Sequence, residues 1–278
     1  MRKMILTFLV IVLSASLPAA AATAAPPLSV TPSLLGLGGS PGSLSISLLG
    51  TDVSLSFENV SGLNLLSLGL SVQLVNPLDP AFRARLPTGT GLSALPVLVR
   101  IEPPAWGGLT FRGVASIDIH THLLPYLPAS PLRIFSAPLG GPFRDITADM
   151  GPGSYRARST MGGFSEFLIV VDLRPINQVI ATKLSALENM LEQYEDEMPG
   201  SIYDDLEDRL VAIEADIASN DLAGAIAGID DFLEEVEDHS GTDIPNVWRA
   251  ARDRQNVAGY LRAGAQTLRF SLVLKSTL

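Results

Sequence analysis

Between residues 52 and 172 the apolar positions recur every second residue. In Asp52-Val53-Ser54-Leu55-Ser56-Phe57-Glu58 each odd position is apolar and each even one polar. Leu68, Leu70, Val72 and Leu74 repeat that alternation with Ser67, Gly69, Ser71 and Gln73 between them. A period of two puts successive side chains on opposite sides of a strand, so each stretch predicts a strand with one buried face. Residues 95–101 are almost continuously apolar and flanked by prolines, which predicts a strand covered on both sides. Further strands are expected at 109–119, 132–136, 154–158 and 164–172. They are separated by Gly and Pro clusters such as Pro103-Pro104, Gly107-Gly108 and Gly162-Gly163.

At Pro175 the period changes from two to 3.6. Ile176, Ile180, Leu184, Leu187 and Leu191 fall on one face of a helix that Pro199-Gly200 stops. Ile202, Leu206, Leu210, Ile213 and Ile217 stripe a second helix. Leu222, Ile226, Ile229, Leu233 and Val236 stripe a third, capped by Asn220 or Asp221 and ended by Gly241. A fourth is expected from about Pro245, a residue favoured in the first turn. Val257, Leu261, Ala265 and Leu268 continue a helical spacing, while Leu268, Phe270, Leu272 and Leu274 fit a strand equally well. The helix is therefore expected to reach about Leu268, with the remainder open.

The fold class that follows is α+β and multidomain: an all-β sandwich, immunoglobulin- or cohesin-like, followed by an acidic α-helical bundle. A closed barrel is the alternative for the first part. The expected divisions are a signal peptide at 1–24, a linker or leading strand at 25–43, the β-sandwich at 44–174 and the helical domain at 175–278.

Charge sharpens that division. The net charge is −10, and residues 183–239 hold 18 acidic and 2 basic residues against 9 of each in 23–182. The acidic run is the expected solvated side of amphipathic helices. It also argues against nucleic acid or an anionic membrane as partner. The chain has no cysteine, which removes disulfides, thiol catalysis and cysteine–metal sites.

The start reads as an export signal: Met1-Arg2-Lys3, an apolar run over 4–13, then small residues to Ala25 around Pro18. Cleavage is expected after Ala22 or Ala24, leaving a soluble chain in the periplasm or outside the cell. The apolar run is shorter than the roughly 20 residues a spanning helix needs, and no later stretch of the sequence reaches that length.

Candidate chemistry is sparse. Asp118-Ile119-His120-Thr121-His122 places Asp118, His120 and His122 on one side of a strand, about 7 Å between successive side chains. Imidazole and carboxylate suit zinc, so these three are the candidate metal ligands. The H-x-H pair is similar to that of metal-dependent amidohydrolases, but those use a (β/α)₈ barrel and here no helices follow the strands. No serine-hydrolase elbow, P-loop or dinucleotide fingerprint is present, so no catalytic residue is assigned and no cofactor is implied. Trp106, in a turn, and Trp248, placed early in the fourth helix, are the candidate binding anchors.

Two resemblances extend this reading. Asn220-Asp221-Leu222-Ala223-Gly224-Ala225-Ile226, then Phe232-Leu233-Glu234-Glu235-Val236 and Gly241, make residues 206–265 resemble the FIMAH module of exported bacterial proteins. That resemblance implies adhesion or matrix binding, and the chain departs from it from Trp248 on. Phe164-Ser165-Glu166-Phe167-Leu168-Ile169-Val170 and Thr267-Leu268-Arg269-Phe270-Ser271-Leu272 make the whole mature chain similar to an uncharacterised family of exported Gram-negative proteins. The expected function is an exported, non-catalytic binding, adhesion or structural protein. The alternative is a metal-dependent hydrolase using Asp118, His120 and His122.

Overall fold

The computed structural model describes residues 33–35, 40–48, 51–94, 96–125, 130–151 and 154–278. The expected signal peptide and most of the expected linker lie outside them. The chain is α+β. The strands are β1 (Ser33–Leu35), β2 (Ser40–Leu48), β3 (Thr51–Ser61), β4 (Leu70–Leu74), β5 (Thr90–Leu92), β6 (Val97–Ile101) and β7 (Thr110–Pro125). They continue with β8 (Leu132–Ala137), β9 (Arg144–Asp145), β10 (Asp149–Gly151), β11 (Ser154–Met161), β12 (Glu166–Asp172) and β13 (Val247–Arg249). Short helices α1 (Leu65–Leu68) and α2 (Pro80–Arg83) sit between strands. The long ones are α3 (Ile176–Gln193), α4 (Gly200–Ser219), α5 (Leu222–Asp238) and α6 (Val257–Ser276).

All the strand pairs are antiparallel and form two sheets. The first runs β1-β2-β3-β7-β11-β10, with β13 also paired to β7. The second runs β4-β6-β12-β8-β9, with β5 paired to β12. The inward residues of both meet in one core: Leu44, Val53, Leu55, Ile117 and Ile119 from the first, Val99, Ile134 and Phe167 from the second. The far side of the second sheet is covered as well, by a cluster of Leu98, Phe135, Leu168 and Val170 with Phe82 and Phe143. That two-sided burial explains the unbroken apolar runs in β6 and β12. The first sheet's far side stays polar, which explains the clean alternation in β3 and β7.

Helices α3 to α6 share a separate apolar cluster built from the stripes read in the sequence, including Ile180, Leu187, Leu206, Ile213, Ile229 and Leu268. Asn220, with φ of 61°, ends α4 in the left-handed region, and the Asp221 carboxylate accepts from Gly224 N to start α5.

Two expectations need correction here. The fourth helix does not start near Pro245. Residues 247–249 instead pair with β7 through Val247–Arg112, Trp248–Phe111 and Arg249–Thr110, because β11 follows β7 only as far as Ala115 and leaves that end open opposite β3. Helix α6 starts only at Val257, with buried Asn256 accepting from Gly259 N, and then runs unbroken to Ser276. The ambiguous end is thus helical, since Leu268 and Leu272 bury against the other helices. Leu68 lies in α1 rather than in the strand that follows it, because Asn64 and Ser67 form a reciprocal cap there.

The α6 start is locked to the first sheet. A register shift between Phe57 and Asn59 is matched by Gly113, whose φ is 70°. A Cβ on Gly113 would stand 1.8 Å from the Glu58 carboxylate. Asn256 Nδ2 donates to Gly113 O at 2.6 Å, and Arg262 reaches Glu58 at 3.1 Å. No helix among the described residues is long and apolar enough to cross a membrane.

Candidate functional site

Alternation along β7 turns Ser116, Asp118, His120 and His122 to the polar side of the first sheet, as the sequence indicates. Register then decides which neighbours they meet. On one side Asp52 faces His120 and Ser54 faces Asp118; on the other, Arg156 faces His120 and Arg158 faces Asp118.

Asp118 is therefore claimed by arginine. Arg158 Nε donates to its Oδ2 at 2.8 Å, and Arg156 Nε lies 3.5 Å from its Oδ1. Arg158 also reaches Asp149 at 3.2 Å. The carboxylate that meets the histidines is Asp52, which the sequence reading passed over. His122 Nε2 lies 2.9 Å from Asp52 Oδ2 and His120 Nδ1 lies 3.9 Å from it, with the two rings 4.3 Å apart. Ligand atoms of Asp52, His120 and His122 all lie within 4.8 Å of one another. The metal-type trio is thus Asp52, His120 and His122, with Asp118 outside it. The alternation in β3 shows that Asp52 faces outward. Only the pairing of β3 with β7 reveals which residues it joins.

The electrostatics of this trio are mixed. A hydrogen bond from Ser47 and another from His122 hold the Asp52 carboxyl below its ordinary range. Partial burial, then the Arg156 charge, pushes the His120 imidazole down. Arg156 Nη2 lies 3.3 Å from His120 Nδ1, so a guanidinium occupies one approach to the cluster.

The two tryptophans have opposite fates. Trp106 is 80% exposed in a 3₁₀ turn, while Trp248 is 8% exposed. Trp248 stacks on Phe111 at 5.4 Å and meets the edge of Phe164 at 4.8 Å inside the core. Its place in β13, not in a helix, puts it there, so it presents no surface for a partner.

A feature with no sequence motif lies where the sheets meet the helices. A cavity of about 580 Å³ opens there between β9, the turn joining β11 to β12, and the facing sides of α3 and α6. Its walls are largely apolar, with Met161, Phe164, Val179, Leu187 and Met190 among them. Three cationic side chains line it as well, and two of them are matched by carboxylates. Lys183 Nζ sits 2.8 Å from Asp145 Oδ2 and donates to Thr267 O at 3.1 Å, both side chains sealed from water. Burial pulls the Lys183 ammonium down while Asp145 opposes that shift. Arg174 grips Asp172 with Nε at 2.9 Å and Nη2 at 2.7 Å.

The third is Arg144. Its side chain makes no hydrogen bond or ion pair with any described residue. Desolvation by nearby protein pushes its guanidinium down, with Tyr260 and Tyr194 opposing, yet the residue as a whole is exposed to solvent. Tyr260, at the start of α6, also lines the cavity, and its hydroxyl has no partner among the described residues. Its ring stacks on Tyr194 at 5.9 Å, and burial together with Tyr260 pushes the Tyr194 phenol up to about 12.

The chain belongs to a family of unknown function, DUF6689, whose profile matches residues 13–275. No curated protein matches it.

Proposed function

We propose, starting from membership in a family without an assigned activity, that this is an exported, non-catalytic binding protein of the periplasm or cell surface. In this reading the two sheets form an immunoglobulin- or cohesin-like sandwich and the helices a bundle packed on it, with the binding site between them. Export rests on the signal-like order of residues 1–24. The observation that carries the reading is the cavity of about 580 Å³, apolar in most of its wall and lined by a guanidinium with no anionic partner among the described residues. Ligand sites are concave, mostly apolar and furnished with a few polar groups, and this volume lies in their usual range. Arg144 is exposed and has no anionic partner among the described residues, so its N–H groups are open to an anionic ligand group.

The test is titration of the chain lacking residues 1–24 with an apolar fluorophore whose emission rises in a dry site. Saturable one-to-one binding that Ala186→Trp abolishes by filling the cavity is the expected result. Absence of saturable binding, or binding indifferent to that substitution, overturns the reading. So does turnover of a peptide, ester or glycoside that a single substitution removes.

A second reading has its own observation. Two imidazoles and a carboxylate within 4.8 Å form the three-ligand set of an open zinc site, the kind that activates water. The hydrolase alternative therefore survives with Asp52 in place of Asp118. Elemental analysis of protein purified without a His-tag separates the readings. Stoichiometric zinc that is lost in Asp52→Ala and kept in Asp118→Ala supports the metal site, whereas zinc-free protein ends it.

A further inference from the structure

The geometry points to a singly charged amphipathic carboxylic acid as the occupant of this cavity, its carboxylate held by Arg144 and the Tyr260 hydroxyl and its apolar part lying along Met161, Phe164 and Met190. This rests on the cavity being a binding site and specifies the ligand's chemistry.

Charge selects the headgroup. Arg144 is the lining cation without an anionic partner among the described residues, since Lys183 and Arg174 are neutralised by Asp145 and Asp172. One unmatched positive charge balances one negative charge. A doubly ionised phosphate would bring a second negative charge with no second unmatched lining cation among the described residues to balance it. A cation would meet Arg144 directly. Donor geometry agrees, because a guanidinium offers parallel N–H groups to the two oxygens of a carboxylate and a phenol O–H adds a third donor. A carboxylate accepts all of these and donates none, so no hydrogen-bonding group is left unmatched on either side.

The wall selects the remainder of the molecule. Met161 and Met190 are unbranched, polarisable side chains that adapt to an irregular alkyl or aryl surface. Phe164 adds an aromatic flank. Gly162 and Gly163, between Met161 and Phe164, bring backbone close to Tyr260: a Cβ at Gly163 would lie 2.2 Å from the Tyr260 hydroxyl oxygen. That close approach fixes the tyrosine ring at the wall of the cavity.

The experiment uses calorimetry with the chain lacking residues 1–24 and three probes of equal length: dodecanoate, dodecanol and dodecyl phosphate. Dodecanoate is expected to bind one-to-one and at least tenfold more tightly than either other probe. Arg144→Gln is expected to weaken dodecanoate by about 10- to 100-fold, the scale of a lost hydrogen bond to a charged group, and to leave dodecanol unchanged. Tyr260→Phe, which removes a single oxygen and keeps the packing, is expected to weaken dodecanoate about 3- to 10-fold. Circular dichroism confirms that each variant folds. Equal binding of dodecanoate and dodecanol overturns the headgroup assignment and leaves the cavity reading standing. Tighter binding of dodecyl phosphate overturns the single-charge argument. Binding of none of the three, with the apolar fluorophore also failing, sinks both this assignment and the reading it rests on.

Discussion

At the scale of single residues, the informative groups are charges whose surroundings decide their behaviour. Lys183 and Asp145 are sealed against each other, and removing one partner leaves the other charged, buried and alone. Lys183→Ala is expected to cost about 3–5 kcal/mol in urea unfolding, because breaking a buried pair is far more costly than replacing it. The double replacement Lys183→Met, Asp145→Leu is expected to recover most of that loss. His239 behaves oppositely. The Asp243 carboxylate at 2.9 Å, and Glu235 behind it, raise its imidazole above the ordinary value. A group raised in the folded state contributes stability at pH below its unfolded value, and that contribution disappears as pH climbs through the raised value. NMR titration is expected to place the His239 midpoint above 6.5, and Asp243→Asn to move it down. The site at this scale was only half legible. His120 and His122 are conspicuous in any reading, since the chain has three histidines. Asp52 looks like any outward polar residue of an alternating strand until register sets it beside them. Arg144 carries no motif at all, and its significance lies in what fails to touch it.

At the scale of elements, the joint between α6 and the first sheet concentrates several demands at one place. Asn256 both caps the helix and donates to the carbonyl of Gly113, in a spot sealed from water. Asn256→Ala is expected to cost about 2–4 kcal/mol, combining a lost cap with an orphaned buried carbonyl. Gly113→Ala strikes the same joint from the other side, through its positive φ and its contact with Glu58. The two substitutions together are expected to cost less than the sum of their separate effects, measured as a double-mutant cycle. Elements with a strong local period were readable: β3, the outward face of β7, and α3 to α5 lie where alternation or a 3.6 stripe placed them. Those of two or three residues, β5, β9 and β10, were not, because no period can be counted over so few positions. β13 was misread for a deeper reason. Pro245 and Trp248 satisfy helical rules locally, but an open ladder position on β7, distant in sequence, offers those residues more than a helix would.

At the scale of the molecule, sheets and helices are joined by several contacts. Thr267 of α6 donates to Thr147 O between β9 and β10, Lys183 of α3 pairs with Asp145 of β9, and Trp248 fills the sheet core from within the helical half of the chain. Trp248→Ala is expected to cost about 3–5 kcal/mol. Near-ultraviolet and far-ultraviolet circular dichroism of the parent chain are expected to report coincident unfolding midpoints, the mark of a single cooperative transition. Separate midpoints would show that the halves are held together more weakly than their shared contacts indicate. The division at residue 174, plain in the change of period, marks a change of secondary structure that these contacts bridge.

The three residues of β13 also set a clock. Trp248 completes β7 at Phe111, more than a hundred residues back along the chain. A central strand of the first sheet stays unfinished until almost the last stretch has been synthesised, and closing so long a loop is entropically slow. A chain stopped short of residue 247 would leave that stretch of β7 paired on one side only, an open ladder that another strand could join.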